Sequence, residues 1–245
     1  MSKFIKFFIF LLFFQIVHSQ SDSYSKPYYL AFDSIVGHDY TPLYNGVRFI
    51  DSYRTSKTNH RYFASYDFIK GDIFFDNQPF YNLNLKYDLY KDVLINQLEG
   101  DKSFFVLELN TSKLASFTLD ERHFVNIFND SLSQLGINGF LEEKYTGNHI
   151  SFYVKHTKDK KERINRKQVV HVFNLKKIYV LKFRNIFFIV GSKRDFKNVF
   201  PNDMKTINYF YKNYKILLKT DPTTFTENLI KALDSKLSQT TSGIK

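Results

Sequence analysis

The chain has 245 residues, a formal net charge of +11, 18% aromatic residues and no cysteine. The lack of cysteine excludes disulfides, thiolate metal sites and cysteine nucleophiles. Because small extracellular eukaryotic domains usually rely on disulfides, a larger cysteine-free chain that is exported favours a bacterial cell envelope. The length is sufficient for one substantial hydrophobic core.

The first residues have the pattern of a secretory signal peptide. Lys3 and Lys6 precede an almost uninterrupted apolar run over residues 7–17, and small or β-branched residues suit cleavage before Gln20. The run is shorter than the about 20 residues that a membrane-spanning helix needs. The sequence therefore predicts a signal peptide at residues 1–19 and no transmembrane span after its removal. The mature protein is expected in the periplasm, in the outer envelope or outside the cell.

Three further regions follow the predicted signal peptide. Residues 20–42 are polar, contain two prolines and have no sustained period, so we expect an irregular N-terminal segment. Residues 43–240 carry the regular patterns of one β-rich domain that ends in two or three helices. Residues 241–245 are expected to form a frayed tail.

Strand patterns dominate from Val47 onwards. Within residues 79–87, Tyr81, Leu83, Leu85 and Tyr87 alternate with polar residues, and this period of two predicts a sheet with one buried face. The same alternation adds two residues of later strands to that face: Leu107 and Phe152. Strands are predicted at residues 47–53, 72–75, 79–87, 93–98, 104–109, 114–119, 139–145, 150–156, 169–173, 178–183 and 185–190. This spacing predicts an antiparallel meander that forms an open sheet, a sandwich or an incomplete barrel.

The last fifth of the chain changes to a helical period. Ser192 and Asn202 are predicted to cap two successive helices, and Thr224 and Glu227 have the spacing of a capping box at the start of another. Its inward face is predicted to contain Phe225, Leu229, Leu233 and Leu237. A shorter helical turn is expected at residues 130–139. The fold class is therefore mainly β with C-terminal helices, an α+β arrangement.

The segment YNLNLKYDLYKDVLI at residues 81–95 resembles a motif of uncharacterised exported proteins from Bacteroidetes-type bacteria. In those proteins an aromatic strand runs into a YDLY-like turn and a second apolar strand. The likeness extends loosely over residues 43–233. The resemblance implies an envelope or secreted location and no assigned activity.

Motifs of known catalytic and cofactor sites are missing from the sequence. No histidine pair has metal-ligand spacing, and there is neither a nucleophile elbow nor a phosphate-binding glycine loop, so we expect no metal and no cofactor. His156 and His171 would meet only if their strands formed a hairpin with matching register. Asp88 is expected to set a turn through its backbone hydrogen bonds. The alternative is that carboxylates such as Asp88 and Asp92 act as a glycosidase pair.

A basic segment at residues 155–167 lies between two predicted strands, which predicts a long β-hairpin with a polar tip. Its cations are Lys155, Lys158, Lys160, Lys161, Arg163, Arg166 and Lys167. One interpretation is a solvated loop, whose charge discourages edge-to-edge pairing. The other is an anion-docking patch for lipid A phosphates or an acidic partner. Codon bias toward lysine is an alternative source of the overall positive charge.

Together these patterns favour an exported, non-enzymatic envelope protein that binds, assembles or scaffolds. The alternative is a hydrolase that acts on glycan or peptide through carboxylates that the sequence does not locate. The expected partner is an envelope protein or an anionic envelope surface, rather than nucleic acid. The oligomeric state stays open.

Overall fold

The structure is a computed structural model that describes residues 26–37, 41–99, 104–127, 130–165 and 168–242. The predicted signal peptide lies outside these residues. The chain divides into two units, Met1–Gly37 and His38–Lys245. The described part of the first unit is helix α1, Lys26–Val36. The expectation of an irregular segment is therefore wrong for these residues. Pro27 fits the first turn of a helix, where its missing N–H leaves no bond unmade.

The second unit is built on one open antiparallel sheet of eleven strands. The strands are β1 Val47–Arg48, β2 Ile69–Phe75, β3 Gln78–Asp88, β4 Val93–Glu99, β5 Phe104–Glu108, β6 Leu114–Leu119, β7 Arg122–Asn126, β8 Phe140–Thr146, β9 Ile150–Asn165, β10 Gln168–Phe183 and β11 Ile186–Ile189. Their order is β1-β5-β4-β3-β2-β6-β7-β8-β9-β10-β11. Two meanders therefore meet where β2 pairs with β6. The prediction of a mainly β, antiparallel α+β fold is confirmed, and the open sheet is the arrangement observed.

The predicted alternation in β3 holds only beyond a β-bulge. Gly71 pairs with Leu83 but Ile73 pairs with Phe80, so β3 has one extra residue in between. Asn82 adopts a positive φ of 56° at this point. Because the extra residue reverses the faces, Phe80 is buried and Tyr81 is not. The prediction that Tyr81 faces the core is therefore wrong.

The sheet covers two large apolar clusters. The first contains the confirmed core residues Leu83, Leu85 and Leu107, together with closely packed aromatic rings. These rings belong to Tyr87, Phe117, Phe124 and Phe140. The second cluster contains Phe152, whose burial was also predicted, and joins β9–β11 to the C-terminal helices. Burial of apolar side chains on this scale is the main stabilising term of the fold.

Five helices of the second unit are described. They are α2 Asp130–Gln134, α3 Lys193–Val199, α4 Met204–Asn213, α5 Lys215–Thr220 and α6 Pro222–Ser242. Ser192 caps α3 as predicted, through a reciprocal capping box with Asp195. Asn202 does not cap α4, because a 3-10 turn at Pro201–Asp203 moves the cap position to Asp203. No helix among the described residues is both long and apolar enough to cross a membrane.

The start of α6 differs from the predicted capping box. The helix begins at Pro222, and the Asp221 carboxylate accepts a hydrogen bond from the backbone N–H of Thr224 at 3.1 Å. Glu227 instead forms an ion pair with Lys231 at 2.6 Å. An Asp followed by Pro is a stronger start signal than the box, since Pro is favoured at the first helical position. The helix continues into the predicted tail.

Strands β9 and β10 form one long hairpin, as predicted. Strand β8 pairs with β9 only over residues 151–154, and β11 pairs with β10 only over residues 180–183. The hairpin therefore continues as a two-stranded ribbon beyond both neighbours. The backbone N–H of His171 donates to the carbonyl of Arg54 at 3.0 Å, and that of Lys158 donates to Leu89 at 3.2 Å. These bonds hold the ribbon against two loops and create a concave surface.

Candidate anion-binding site

A cavity of about 260 Å³ lies on this concave surface. Its walls come from the loop at residues 62–64, the β3–β4 turn, the start of β7, and the ribbon. The cavity lining includes Phe63, Leu89, Arg122, His156, Lys158, Leu175 and Lys177. His156 and Lys158 lie two residues apart on β9 and therefore share one face of the strand. The cavity combines an apolar wall with a cluster of nitrogen-bearing side chains.

Lys158 is half-buried at the cavity wall. Its Nζ donates to the backbone carbonyls of His60 at 2.6 Å and Tyr62 at 3.0 Å. An ammonium group has three N–H donors, so one is left for a ligand. Burial lowers the pKa of Lys158, although the nearby charge of Asp88 opposes the shift. The two carbonyls orient the ammonium group without neutralising its charge.

Arg122 and Lys177 carry two further positive charges. The Arg122 guanidinium lies 5.2 Å from the centre of the Phe63 ring and its side chain is 43% exposed. Lys177 is exposed, and its Nζ lies 3.3 Å from Thr223 Oγ1. The described lining contains no carboxylate. An anion that enters the cavity would therefore meet three cations, of which Arg122 also forms an ion pair with Glu142 at 3.9 Å.

Glu142 and His156 form a buried pair beside the cavity. His156 Nε2 and Glu142 Oε2 are 2.6 Å apart, and Lys144 Nζ lies 3.3 Å from Glu142 Oε1. Burial by itself would raise the pKa of Glu142, but the His156 hydrogen bond and the charges of His156, Lys144 and Arg122 outweigh it, so the pKa is lowered. His156 Nδ1 is buried and has no hydrogen-bond partner within the described part of the chain. The imidazole thus has one ring nitrogen engaged and one free.

Replacing Glu142 by Gln should reduce the loss of unfolding free energy that occurs when the pH is lowered. Because the pKa of Glu142 lies below its ordinary value of 4.5, the ionised group stabilises the fold above that pH. This contribution is lost as the pH falls through the folded-state pKa. Urea unfolding across this pH range should show a smaller loss of stability on acidification for Glu142→Gln than for the wild type. The exposed Glu121→Gln is the control, and an identical pH slope in all three proteins would contradict the prediction.

A second polar cluster, centred on Arg61, supports the rim of the cavity. The Arg61 side chain is 1% exposed. It forms one ion pair with Asp88 and a second with Asp51, the latter at 2.7 Å. Its guanidinium lies 4.7 Å and 5.0 Å from the ring centres of Tyr53 and Tyr62. The Tyr62 hydroxyl donates to Asp51 at 2.8 Å. These contacts fix the loop whose carbonyls bind Lys158.

Asp88 also has the turn-setting role predicted from the sequence. Its Oδ1 accepts hydrogen bonds from the backbone N–H groups of Tyr90 at 2.9 Å and Lys91 at 3.1 Å. Burial raises the pKa of Asp88, against the opposing effects of the Arg61 charge and these hydrogen bonds. Asp92 is bound elsewhere, by Lys155 Nζ at 2.7 Å. The two carboxylates are therefore each engaged by a different cation.

The predicted docking residues do not share one solvated loop. Lys155 is buried, and Lys158 belongs to the cavity. Lys160 forms an ion pair with Glu162 at 3.1 Å and lies over the Tyr53 ring. The remaining described members, Lys161 and Arg163, are exposed on β9, while Arg166 and Lys167 lie outside the described residues. The basic segment differs from the expected loop because β9 continues through it to Asn165.

His156 and His171 do not meet, although their strands form the hairpin on which a meeting would depend. The hairpin register pairs His156 with Lys177 and His171 with Glu162. Across the described ranges, no group of three or more His, Asp or Glu residues is placed to hold a metal ion. Sequence reasoning missed Arg61, Arg122 and Lys177, because their roles depend on contacts between distant segments. Comparisons with family models, curated proteins and solved structures found no match.

Proposed function

We propose that the chain is an exported, non-enzymatic binding protein that holds a small anion in the cavity beside His156. The observation that carries the proposal is that the cavity lining, among the residues that the structure describes, contains three cations and no carboxylate. The signal-peptide pattern of residues 1–19 supports the exported location. A cavity that is positive and partly apolar favours an anion over a neutral ligand of the same size.

The ligand class follows from the two halves of the cavity. Arg122 has a planar donor fork that suits a carboxylate or a phosphate, and Lys158 keeps one free donor nearby. Phe63, Leu89 and Leu175 provide an apolar wall for the rest of the molecule. The volume of about 260 Å³ is slightly below that of pockets for drug-sized ligands. The ligand is therefore a small carboxylate or phosphate ester with a short apolar portion.

Calorimetric titration with acetate, hexanoate, octanoate and the neutral hexanol tests this proposal. Affinity should rise with chain length, by up to about fourfold per methylene that the apolar wall covers, and hexanol should not bind. Arg122→Gln combined with Lys177→Gln should weaken hexanoate binding about tenfold or more, because hydrogen bonds to charged groups are strong. Lys176→Gln is a single-charge control on the same strand, since Lys176 lies on the opposite face of β10 and forms an ion pair with Asp159.

Equal binding of hexanol and hexanoate would contradict the proposal, and so would equal losses of affinity in the double variant and the Lys176→Gln control. The first would remove the need for the cations. The second would mean that the loss of affinity comes from the lower net charge of the protein and not from contacts in the cavity. Hexanoate binding that is lost when salt is added would also indicate general charge attraction and contradict the proposal, because exposed charges are screened at physiological ionic strength.

A hydrolase is the second candidate, since Glu142 and His156 form the carboxylate–imidazole pair that orients a general base. The described cavity lining contains no Ser or Thr, so such a base would have to activate water. Hydrolysis of nitrophenyl hexanoate that is lost in His156→Gln would favour this candidate. Hexanoate binding without hydrolysis would favour the binding protein.

A further inference from the structure

Helices α4 and α5 carry a second basic surface, formed by a stripe of alternating lysine and apolar residues. Its members are Lys205, Tyr209, Lys212, Ile216 and Lys219. The spacing places Lys205, Tyr209 and Lys212 on one side of α4, and Ile216 and Lys219 on one side of α5. The two helices are joined through Tyr214, whose N–H donates to Phe210 and whose carbonyl accepts from Leu218. All five side chains of the stripe are exposed.

The charge of this stripe is uncompensated. Residues 204–220 contain four lysines, Lys205, Lys212, Lys215 and Lys219, and no acidic residue. Within the described parts of the chain, none of these four ammonium groups has an ion pair or a side-chain hydrogen bond. By contrast, Lys176 and Lys231 each have a carboxylate partner. The stripe therefore presents free positive charge to solvent.

Apolar groups are exposed between these lysines. Ile216 is 79% exposed and Tyr209 is 56% exposed, and the Tyr209 ring lies 6.2 Å from the ring of Tyr214. The opposite side of α4 is already used, since Ile207 is buried in the second core cluster. Membrane-interface helices use apolar side chains that enter the headgroup boundary and lysines that attract anionic lipid, and the exposed side of α4 and α5 offers both.

We propose that this stripe docks on the surface of an anionic phospholipid bilayer. Lysine ammonium groups attract phosphates without strict geometry, which suits a fluid headgroup layer. Tyr209 has an apolar ring and a polar hydroxyl, which suits the boundary between headgroups and acyl chains. Ile216 offers no ring to stack on a base, so the surface fits lipid better than single-stranded nucleic acid. The proposal is independent of the anion cavity.

Flotation with vesicles tests the proposal on the mature protein, without the predicted signal peptide. The protein should float with vesicles of phosphatidylcholine plus phosphatidylglycerol and not with phosphatidylcholine alone. Lys212→Gln with Lys219→Gln should lower the partition coefficient about 25-fold, from about fivefold per lysine near an anionic surface. Tyr209→Ser with Ile216→Ser should also weaken binding while leaving the net charge unchanged. Because all four positions are exposed, the variants are expected to fold.

The matched control removes the same charge from the ribbon, through Lys161→Gln with Arg163→Gln. This control should float like the wild type. Loss of flotation in the ribbon control but not in the Lys212 and Lys219 variant would overturn the proposal and assign docking to the hairpin. Equal flotation with neutral vesicles would overturn it too. Displacement of the vesicle-bound protein by single-stranded RNA at equal charge would likewise overturn it in favour of nucleic acid.

Discussion

Replacing Asp88 by Asn is expected to lower the free energy of unfolding by about 3–5 kcal/mol. The change removes the carboxylate charge but keeps Oδ1 as an acceptor for the N–H groups of Tyr90 and Lys91. Arg61, which is 1% exposed, would then keep its charge with only Asp51 as a partner. An uncompensated buried charge is costly, because the interior does not solvate it as water does. Urea unfolding at neutral pH measures the loss.

A second variant separates this effect from a general packing defect. Arg61→Met combined with Asp88→Asn removes both charges, fills most of the volume and should recover much of the lost stability. The reason is that a buried ion pair gains little over apolar groups of similar shape, while half of a pair is strongly unfavourable. Equal losses in the single and double variants would contradict the account. A loss below about 1 kcal/mol for Asp88→Asn alone would do so as well.

The Arg61 cluster also links the fold to the proposed binding site. It fixes the loop whose carbonyls at His60 and Tyr62 orient Lys158. The same loop contributes Phe63, which lies under the Arg122 guanidinium. Loosening the cluster is therefore expected to weaken anion binding before the protein unfolds. The shape of the cavity therefore depends on the buried ion pairs of Arg61.

The sheet was predictable wherever side chains alternate, and less so where the backbone departs from regular pairing. Strand β6, Leu114–Leu119, has the predicted bounds. Strand β7, Arg122–Asn126, was missed because its short sequence is mostly polar. It follows a turn at Asp120 and Glu121, where both residues have positive φ. Such a turn is normally signalled by Asn or Gly, and neither is present here.

Two further differences come from features of the strands that a period of two does not show. The bulge at Asn82 reverses the faces of β3, and Asn tolerates a positive φ better than most residues. Nothing in a period of two reveals where such a reversal falls. Strand β10 reads as two separate strands because polar residues interrupt it between Phe173 and Ile178, yet pairing with β9 continues through them. Two-stranded ribbons do not need an apolar face at every position, since solvent covers the polar side chains.

The candidate site was the least predictable part of the molecule. The Arg61–Asp88 pair spans 27 residues and the Glu142–His156 pair spans 14, so neither has a local sequence signal. A dense run of lysines normally indicates a solvent-exposed segment, because burying an unpaired charge is costly. Lys155 departs from that rule since Asp92 and a carbonyl compensate it. The sequence did predict the hairpin that carries Lys155 and His156.

Replacing Leu85 by Ala should cost about 2–5 kcal/mol of unfolding free energy. Leu85 is 0% exposed at the centre of the first core cluster, where it faces residues from several strands. The change removes apolar contacts and leaves a cavity that rigid neighbouring strands cannot fully close. Leu175→Ala is the matched control: the same substitution on a strand, at a half-exposed position that should cost less than about 1 kcal/mol. Equal unfolding midpoints for wild type and Leu85→Ala would mean that β3 does not have the register on which both the core and the β-bulge at Asn82 depend.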